Sequence, residues 1–402
     1  MVDGAGPRAP DEPVRSAQAQ ARVNGAARRP DVALVLTGGG AHAAYQVGAL
    51  SAIVERLPDL EFPILTGVSA GAINIAYLAA YRGPLRAAVE TLRREWARLT
   101  IERVYRIRPG RLAPAGLRWL AAMALGRHNG PAAVRGLVDM EPLRRFLRQG
   151  IDFGGIDANI AAGRLHAVAL SATSYASGQT VTFVHGANGV PVWRRALRYS
   201  VKTRLTLDHV MASAAVPILF PAVRVGNEFY GDGSVRQTAP LAPAIHLGAR
   251  ALLVITMRPD PQALAALPGA AAEYPSAAEV MGLLLHAVFL DAPESDAERL
   301  ERINELLAAC PDERTSSSHL SPVRLLVLRP SRDIGVLAAA QGVRLPGMLH
   351  WLVGGLGGRR PGAADFLSYL LFDPAYTDAL IDLGYADARA AWPQIERLVA
   401  GA

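Results

Sequence analysis

The chain of 402 residues has one cysteine, and among its 42 basic residues only Lys202 is a lysine. The lone Cys310 excludes a disulfide framework or a cysteine-rich metal site and reads as a small packed thiol. Charged residues are few, 19%, while hydrophobic ones reach 51%, a balance that excludes a disordered chain. No run approaches about 18 uninterrupted apolar residues, so no transmembrane helix is expected. Residues 1–30, rich in Ala, Gly, Pro, Arg and Asp, lack the apolar stretch of a secretory signal and read as a disordered lead-in. A cytoplasmic location is expected on those grounds. The net charge of +7 has no zinc-ligand, helix-turn-helix or aromatic-basic RNA pattern beside it, so a nucleic-acid partner is not expected.

What the chain does contain is a succession of strand, turn and helix signals. Residues 32–36 form a short β-branched apolar run suited to a buried parallel strand, broken by Thr37-Gly38-Gly39-Gly40. Ala44, Val47, Leu50 and Val54 then recur at helical spacing. A second apolar run over 62–66 leads into Gly67-Val68-Ser69-Ala70-Gly71, and 72–81 is again helical. This alternation predicts an α/β fold with a parallel sheet. Further strands are expected at 165–171, 178–185, 252–257 and 324–328. Helices are expected at 207–215 and 278–307, with 85–150 mostly helical and arginine-rich. Arg93, Arg94 and Arg98, with Glu90 and Glu95, read as a solvated helix face.

Gly67-x-Ser69-x-Gly71 has the G-x-S-x-G spacing of a nucleophile elbow, and it lies between a strand and a helix. A serine in so tight a turn needs small neighbours, and its hydroxyl then projects near a helix N-terminus, where free N–H groups favour negative charge. Gly38-Gly39-Gly40 occupies the same kind of junction and could offer backbone donors to an oxyanion. The rival dinucleotide fingerprint, Gly38-x-Gly40-x-x-Ala43, lacks the acidic residue at the end of the next strand that would hold a ribose.

A serine nucleophile needs a proton acceptor. His286, His319 and His350 are the late histidines a Ser-His-Asp triad would draw on. None has strand-end context, and His286 reads as a core or interface residue. Asp232, within Tyr230-Gly231-Asp232-Gly233-Ser234, sits between glycines that allow a sharp turn toward the serine. Shielded from water, such a carboxylate has a raised pKa and can act as general base. The same residues also make an ordinary Asp-Gly turn.

In order, a strand-GGG-helix junction, G-x-S-x-G about 30 residues later and Phe229-Tyr230-Gly231-Asp232-Gly233 resemble the patatin-like phospholipases. Residues 212–240 resemble that family's segment around its catalytic aspartate. The resemblance spans about residues 31–255. It implies a three-layer α/β/α fold with a central, mostly parallel sheet as a catalytic domain over 31–255, followed by a mainly helical region over 256–402. It also implies Ser69 as nucleophile, Asp232 as base and Gly38, Gly39 and Gly40 as the oxyanion loop, with Gly67, Gly71, Gly233 and Ser234 as motif residues. The expected activity is lipid acyl hydrolysis through an acyl-enzyme, the Ala70 amide adding to the oxyanion hole, with no metal or organic cofactor. Two departures stand out. The glycine loop continues Ala41-His42-Ala43 where the family usually has a basic residue and then Gly, so His42 would assist the oxyanion only when protonated. Ser234 also replaces the usual Gly or Ala after Asp-Gly.

The expected partner is a lipid substrate at a membrane surface or micelle, met peripherally at the inner membrane face, where the basic surface would favour anionic headgroups. Residues 112–125 and 347–355, apolar and each with a tryptophan, are packed helices or shallowly inserting and lid segments. A catalytically inert lipid-binding or scaffolding protein on the same fold is the alternative, kept open by Ala41-His42-Ala43. Headgroup specificity and oligomeric state are not encoded in any recognisable motif.

Overall fold

The computed structural model describes residues 32–107, 136, 138–259, 274, 277–309, 320–340 and 368–401. Cys310, His319, His350 and the segments 112–125 and 347–355 lie outside the described residues, as does the 1–30 lead-in. Strand β1 (Val32–Leu36) is followed by a 3₁₀ turn (Gly40–Ala43) and helix α1 (Ala44–Arg56). Strand β2 (Ile64–Val68), α2 (Ala70–Ala80), α3 (Leu85–Ala97) and the single turn α4 (Ile101–Val104) come next. A short antiparallel pair, β3 (Arg106–Ile107) and β4 (Val138–Asp139), precedes α5 (Glu141–Gly150) and α6 (Gly154–Ala161). Then come β5 (Ala167–Ser174), β6 (Thr180–Gly186), β7 (Arg194–Arg195), β8 (Arg198–Lys202) and α7 (Leu207–Ser213). Strands β9 (Val223–Val225) and β10 (Glu228–Asp232) lead through α8 (Ala242–His246) to β11 (Ala251–Ile255). Beyond it lie α9 (Ala277–Phe289), α10 (Asp291–Ala309), β12 (Arg324–Leu328), α11 (Ile334–Ala340), α12 (Pro374–Ala390) and α13 (Trp392–Ala400).

The sheet runs β12-β11-β1-β2-β5-β6-β8-β7, and β10 pairs with both β5 and β9. Neighbours from β12 to β5 are all parallel, and β5–β6, β7–β8 and the β9–β10 arm are antiparallel. Both faces are covered. Val32, Leu34 and Leu36 belong to one core cluster, and Ala33 and Val35 to another on the opposite face. Period-2 alternation with helices on each side explains why β1 reads as an unbroken apolar run. The second cluster draws on α8 and α10 through Ala244, Ala297 and Leu300. The fold is therefore the α/β/α arrangement expected.

The differences from expectation have local causes. The strand expected over 62–66 runs instead through Ile64–Val68, so the elbow's first two residues are still paired, Gly67 opposite Leu36 and Val68 opposite Ser171. The single helix expected over 278–307 is two, divided at Leu290. Pro293 falls in the first turn of α10, a position proline tolerates and a helix interior does not. Strand β12 extends β11 in parallel register, so the mainly helical region after 255 shares the sheet with what precedes it.

Helix α12 packs against α1 through two glycine notches. A Cβ on Gly48 would lie 1.9 Å from the Ile381 carbonyl, and one on Gly384 would lie 2.1 Å from that of Tyr45. The backbones touch there, and no rotamer change relieves a clash with a main-chain oxygen. Gly384→Ala is expected to cost about 1–3 kcal/mol by overpacking, read as a lower urea midpoint with an unchanged slope.

Candidate active site

Parallel strands β1 and β2 are neighbours, so the turns leaving their carboxyl ends lie side by side, where ligands bind in open α/β sheets. Ser69 follows β2 directly and caps α2 with φ 55 and ψ −129. Positive φ in a serine is a strained state of order 1–3 kcal/mol that its surroundings must enforce. The glycines of the motif show how they do so. A Cβ on Gly71 would lie 2.4 Å from the Leu36 carbonyl and 2.5 Å from that of Thr37, and one on Gly67 would lie 2.8 Å from the Gly71 carbonyl. The elbow is thus pressed against the end of β1, from which the glycine loop departs. The Ser69 amide donates to Ser213 Oγ at 3.0 Å, and Ser213 donates to the Ser171 carbonyl at 2.6 Å. Ser213, fully buried, is a site residue that no sequence motif announced.

A buried polar network fixes the two turns to one another. Gln46 Nε2 donates to the Thr37 carbonyl at 2.8 Å, Asn74 Nδ2 to Gln46 Oε1 at 2.9 Å and to the Ala43 carbonyl at 3.2 Å, and Trp96 Nε1 to Asn74 Oδ1 at 2.8 Å. Within the glycine loop, a Cβ on Gly39 would lie 2.6 Å from Met257 Cγ, and Gly40 adopts φ 57. Among the described residues, none accepts a hydrogen bond from the amides of Gly38, Gly39, Gly40 or Ala70. These unspent donors surround a helix N-terminus.

Asp232 arrives from the other direction. Pairing of β2 along β5 ends at Val68–Ser171, and the next residue of β5, Ala172, pairs with Asp232 on antiparallel β10. The two strand ends therefore meet on one edge of β5, and the chain turns away at Gly233, where a Cβ would lie 2.2 Å from the Ser171 carbonyl and 2.7 Å from Val68 Cγ2. The Asp232 carboxyl is fully buried, and Oδ1 accepts from the Ser234 amide at 2.9 Å. Burial raises its pKa to about 7, against the opposing pull of the Ser69 hydroxyl and of Ser234. Oδ2 accepts no hydrogen bond from the described residues, and the Ser69 hydroxyl lies close enough to act on the carboxyl.

An apolar pocket opens beside Ser69, lined by Gly40, Ala70, Ile73, Phe220 and Leu370 among other groups. No histidine among the described residues lines it. His286 lines a separate cavity with His42, Arg258 and Asp333. His42 was expected to assist the oxyanion only when protonated. It is buried, shares a 2.8 Å hydrogen bond between Nε2 and Ser368 Oγ, and burial and His286 lower its pKa to about 3. Protonation, which oxyanion assistance would require, is disfavoured by desolvation. Arg93 and Arg94 of α3, and Arg98 just beyond its end, do stand on an exposed face, Arg98 beside Glu95 at 3.7 Å.

The pattern of the patatin-like phospholipases matches residues 34–245, more than half of the chain. The chain belongs to the patatin-like phospholipase family. Family membership supports activity as a lipid hydrolase. No curated protein matches the chain. Similar solved structures include VipD from Legionella pneumophila, 12% identical over 94% of this chain and 73% of that one, TM-score 0.36. Human GIVD cytosolic phospholipase A2 in complex with methyl gamma-linolenyl fluorophosphonate is 14% identical, with 96% and 62% covered and a TM-score of 0.45. The ExoU–SpcU complex of Pseudomonas aeruginosa is 19% identical, with 84% and 69% covered and a TM-score of 0.28. This chain thus spans less than two thirds of the human enzyme's length.

Because the folded pKa of Asp232 lies above the ordinary carboxylate value, its contribution favours folding at acid pH and is lost as pH rises through about 7. Asp232→Asn is therefore expected to raise stability at pH 8 by roughly 2–4 kcal/mol and to change it little at pH 4. Urea titrations at the two pH values check this, and equal shifts at both would contradict it.

Proposed function

We propose that the chain is a lipid acyl hydrolase of the phospholipase A or lysophospholipase kind, working through a Ser69–Asp232 dyad without a histidine. Asp232 takes the proton of the Ser69 hydroxyl, and the serine oxygen attacks an ester carbonyl. The amides of Gly38, Gly39, Gly40 and Ala70 stabilise the oxyanion, the alcohol leaves, and water releases the fatty acid from the acyl-enzyme. The observation that carries this reading is the shared β5 edge, which brings a buried carboxyl of raised pKa to the elbow at the mouth of an apolar cavity. A base with a pKa about 7 is matched to work near neutrality.

Family membership supports a lipid substrate, and the apolar lining suits an acyl chain. No helix among the described residues is long and apolar enough to cross a membrane. We place the substrate at a membrane surface or micelle met from the aqueous side. With its pKa lowered to about 3, His42 does not supply the charge of the basic residue the family usually has after the glycines, and this favours the second reading, an inert lipid-binding protein on the same fold.

A chromogenic medium-chain fatty-acyl ester separates the two. Hydrolysis is expected from the wild type, with losses of ~10³-fold or more in kcat for Ser69→Ala and Asp232→Asn. No turnover by the wild type, or turnover that survives both substitutions, would refute the dyad. In the wild type, kcat/KM is expected to climb with pH through about 7 as Asp232 loses its proton. A profile flat from pH 5 to pH 9 would remove Asp232 as the base.

A further inference from the structure

The loop bearing Gly38–Gly40 is gripped by a segment outside the region that the family pattern matches. Ser368, Tyr369 and Leu370, just before α12, lie across it. The Ala41 amide donates to the Tyr369 carbonyl at 2.9 Å. Gly40, at φ 57, approaches the same carbonyl so closely that a Cβ would stand 2.2 Å from it. His42 shares its 2.8 Å hydrogen bond with Ser368, 326 positions away, and its ring lies 4.3 Å from that of Tyr369 between centroids.

The segment has its own anchors. Tyr105 Oη donates to the Leu370 carbonyl at 2.9 Å, and the Phe372 ring lies 6.3 Å from that of Trp96, the residue that donates to Asn74. Tyr369, Leu370 and Phe372 also line the Ser69 cavity. One short stretch thus touches the loop on one side and the apolar Ser69 cavity on the other.

We propose that Ser368–Phe372 is a strap that aims the oxyanion loop, and that Ser368 and His42 are positioning residues for it. This rests on the proposed hydrolase reading for its kinetic consequence, but not for its structural one. A glycine-rich turn has many accessible conformations, and its donors stabilise an oxyanion only when held in place. In this chain the hold comes from a neutral histidine pinned to the strap, where the family usually has a basic residue.

The test uses the full chain. Ser368→Ala is expected to lower kcat on the medium-chain ester about tenfold with KM within about twofold, and to speed amide hydrogen exchange in peptides covering 37–43 about tenfold. Ser368→Thr should restore both. His42→Phe, which keeps the ring packing and removes the hydrogen bond, should reproduce the exchange effect should Ser368→Ala fail to fold. As a control, Tyr385→Phe removes the bond from α12 to Glu55 and should leave exchange at 37–43 unchanged. Loop exchange as slow as the wild type in both Ser368→Ala and His42→Phe would overturn the strap. A wild type with no ester turnover would defeat the hydrolase reading alone, and the exchange measurement would still decide the strap.

Discussion

The geometry of the site depends on how one edge of β5 is divided. Parallel β2 occupies it as far as Ser171, and antiparallel β10 takes it over from Ala172. Two strands that approach head-on along one partner must stop where they meet, and what stands at that junction is a serine on one side and an aspartate on the other. The small residues around it follow from this constraint. Gly233 leaves the junction against Ser171 and Val68, Gly71 seats the elbow on the end of β1, and Ser213 ties the elbow's amide back to β5. A shift of β10 by one residue would turn its side chains to the opposite face and remove the carboxyl from the serine.

Burial acts on two titratable groups here in opposite senses. It raises Asp232 to about 7 and lowers His42 to about 3, so in both cases it favours the neutral form. For Asp232 that leaves a carboxyl whose pKa lies near neutrality, held at some cost to stability, as is common where function and folding compete. For His42 it removes a charge and leaves a hydrogen-bonding ring. The two side chains differ in their surroundings: Asp232 is buried at the strand junction beside the elbow, whereas His42 lines a separate cavity with His286.

Much of this was legible in the sequence where steric demands are strict. The run at 32–36, the triple glycine and G-x-S-x-G announced themselves because close backbone approach admits only small residues there. Strand β10, which delivers Asp232, was missed, although Val223-Arg224-Val225 and Glu228-Phe229-Tyr230 flank Gly226-Asn227, a two-residue hairpin signal. The strand is short and carries Gly231, which masks its alternation. Ser213 and Ser368 had no signature, since a lone hydroxyl making one or two hydrogen bonds leaves no periodic trace. The grip on Gly40 comes from a main-chain carbonyl, which any residue at position 369 would supply. The surroundings of His42 were not legible, because they are set by residues far along the chain, Ser368 and Tyr369 among them.

The glycine-to-backbone crossing of α1 and α12 bears on the order in which the protein matures. Translation delivers the serine elbow and the glycine turn early, and β10 follows, so serine and carboxyl can be assembled while much of the polypeptide is still being made. Helix α1 at that stage exposes the groove at Gly48 that awaits α12. Residue 384 must be made before the crossing of α1 and α12 can form, and the segment just before α12 is the one that lies across the turn. The glycine turn thus takes two of its contacts, the Tyr369 carbonyl and the Ser368 hydroxyl, from residues made 326 positions or more after the turn itself.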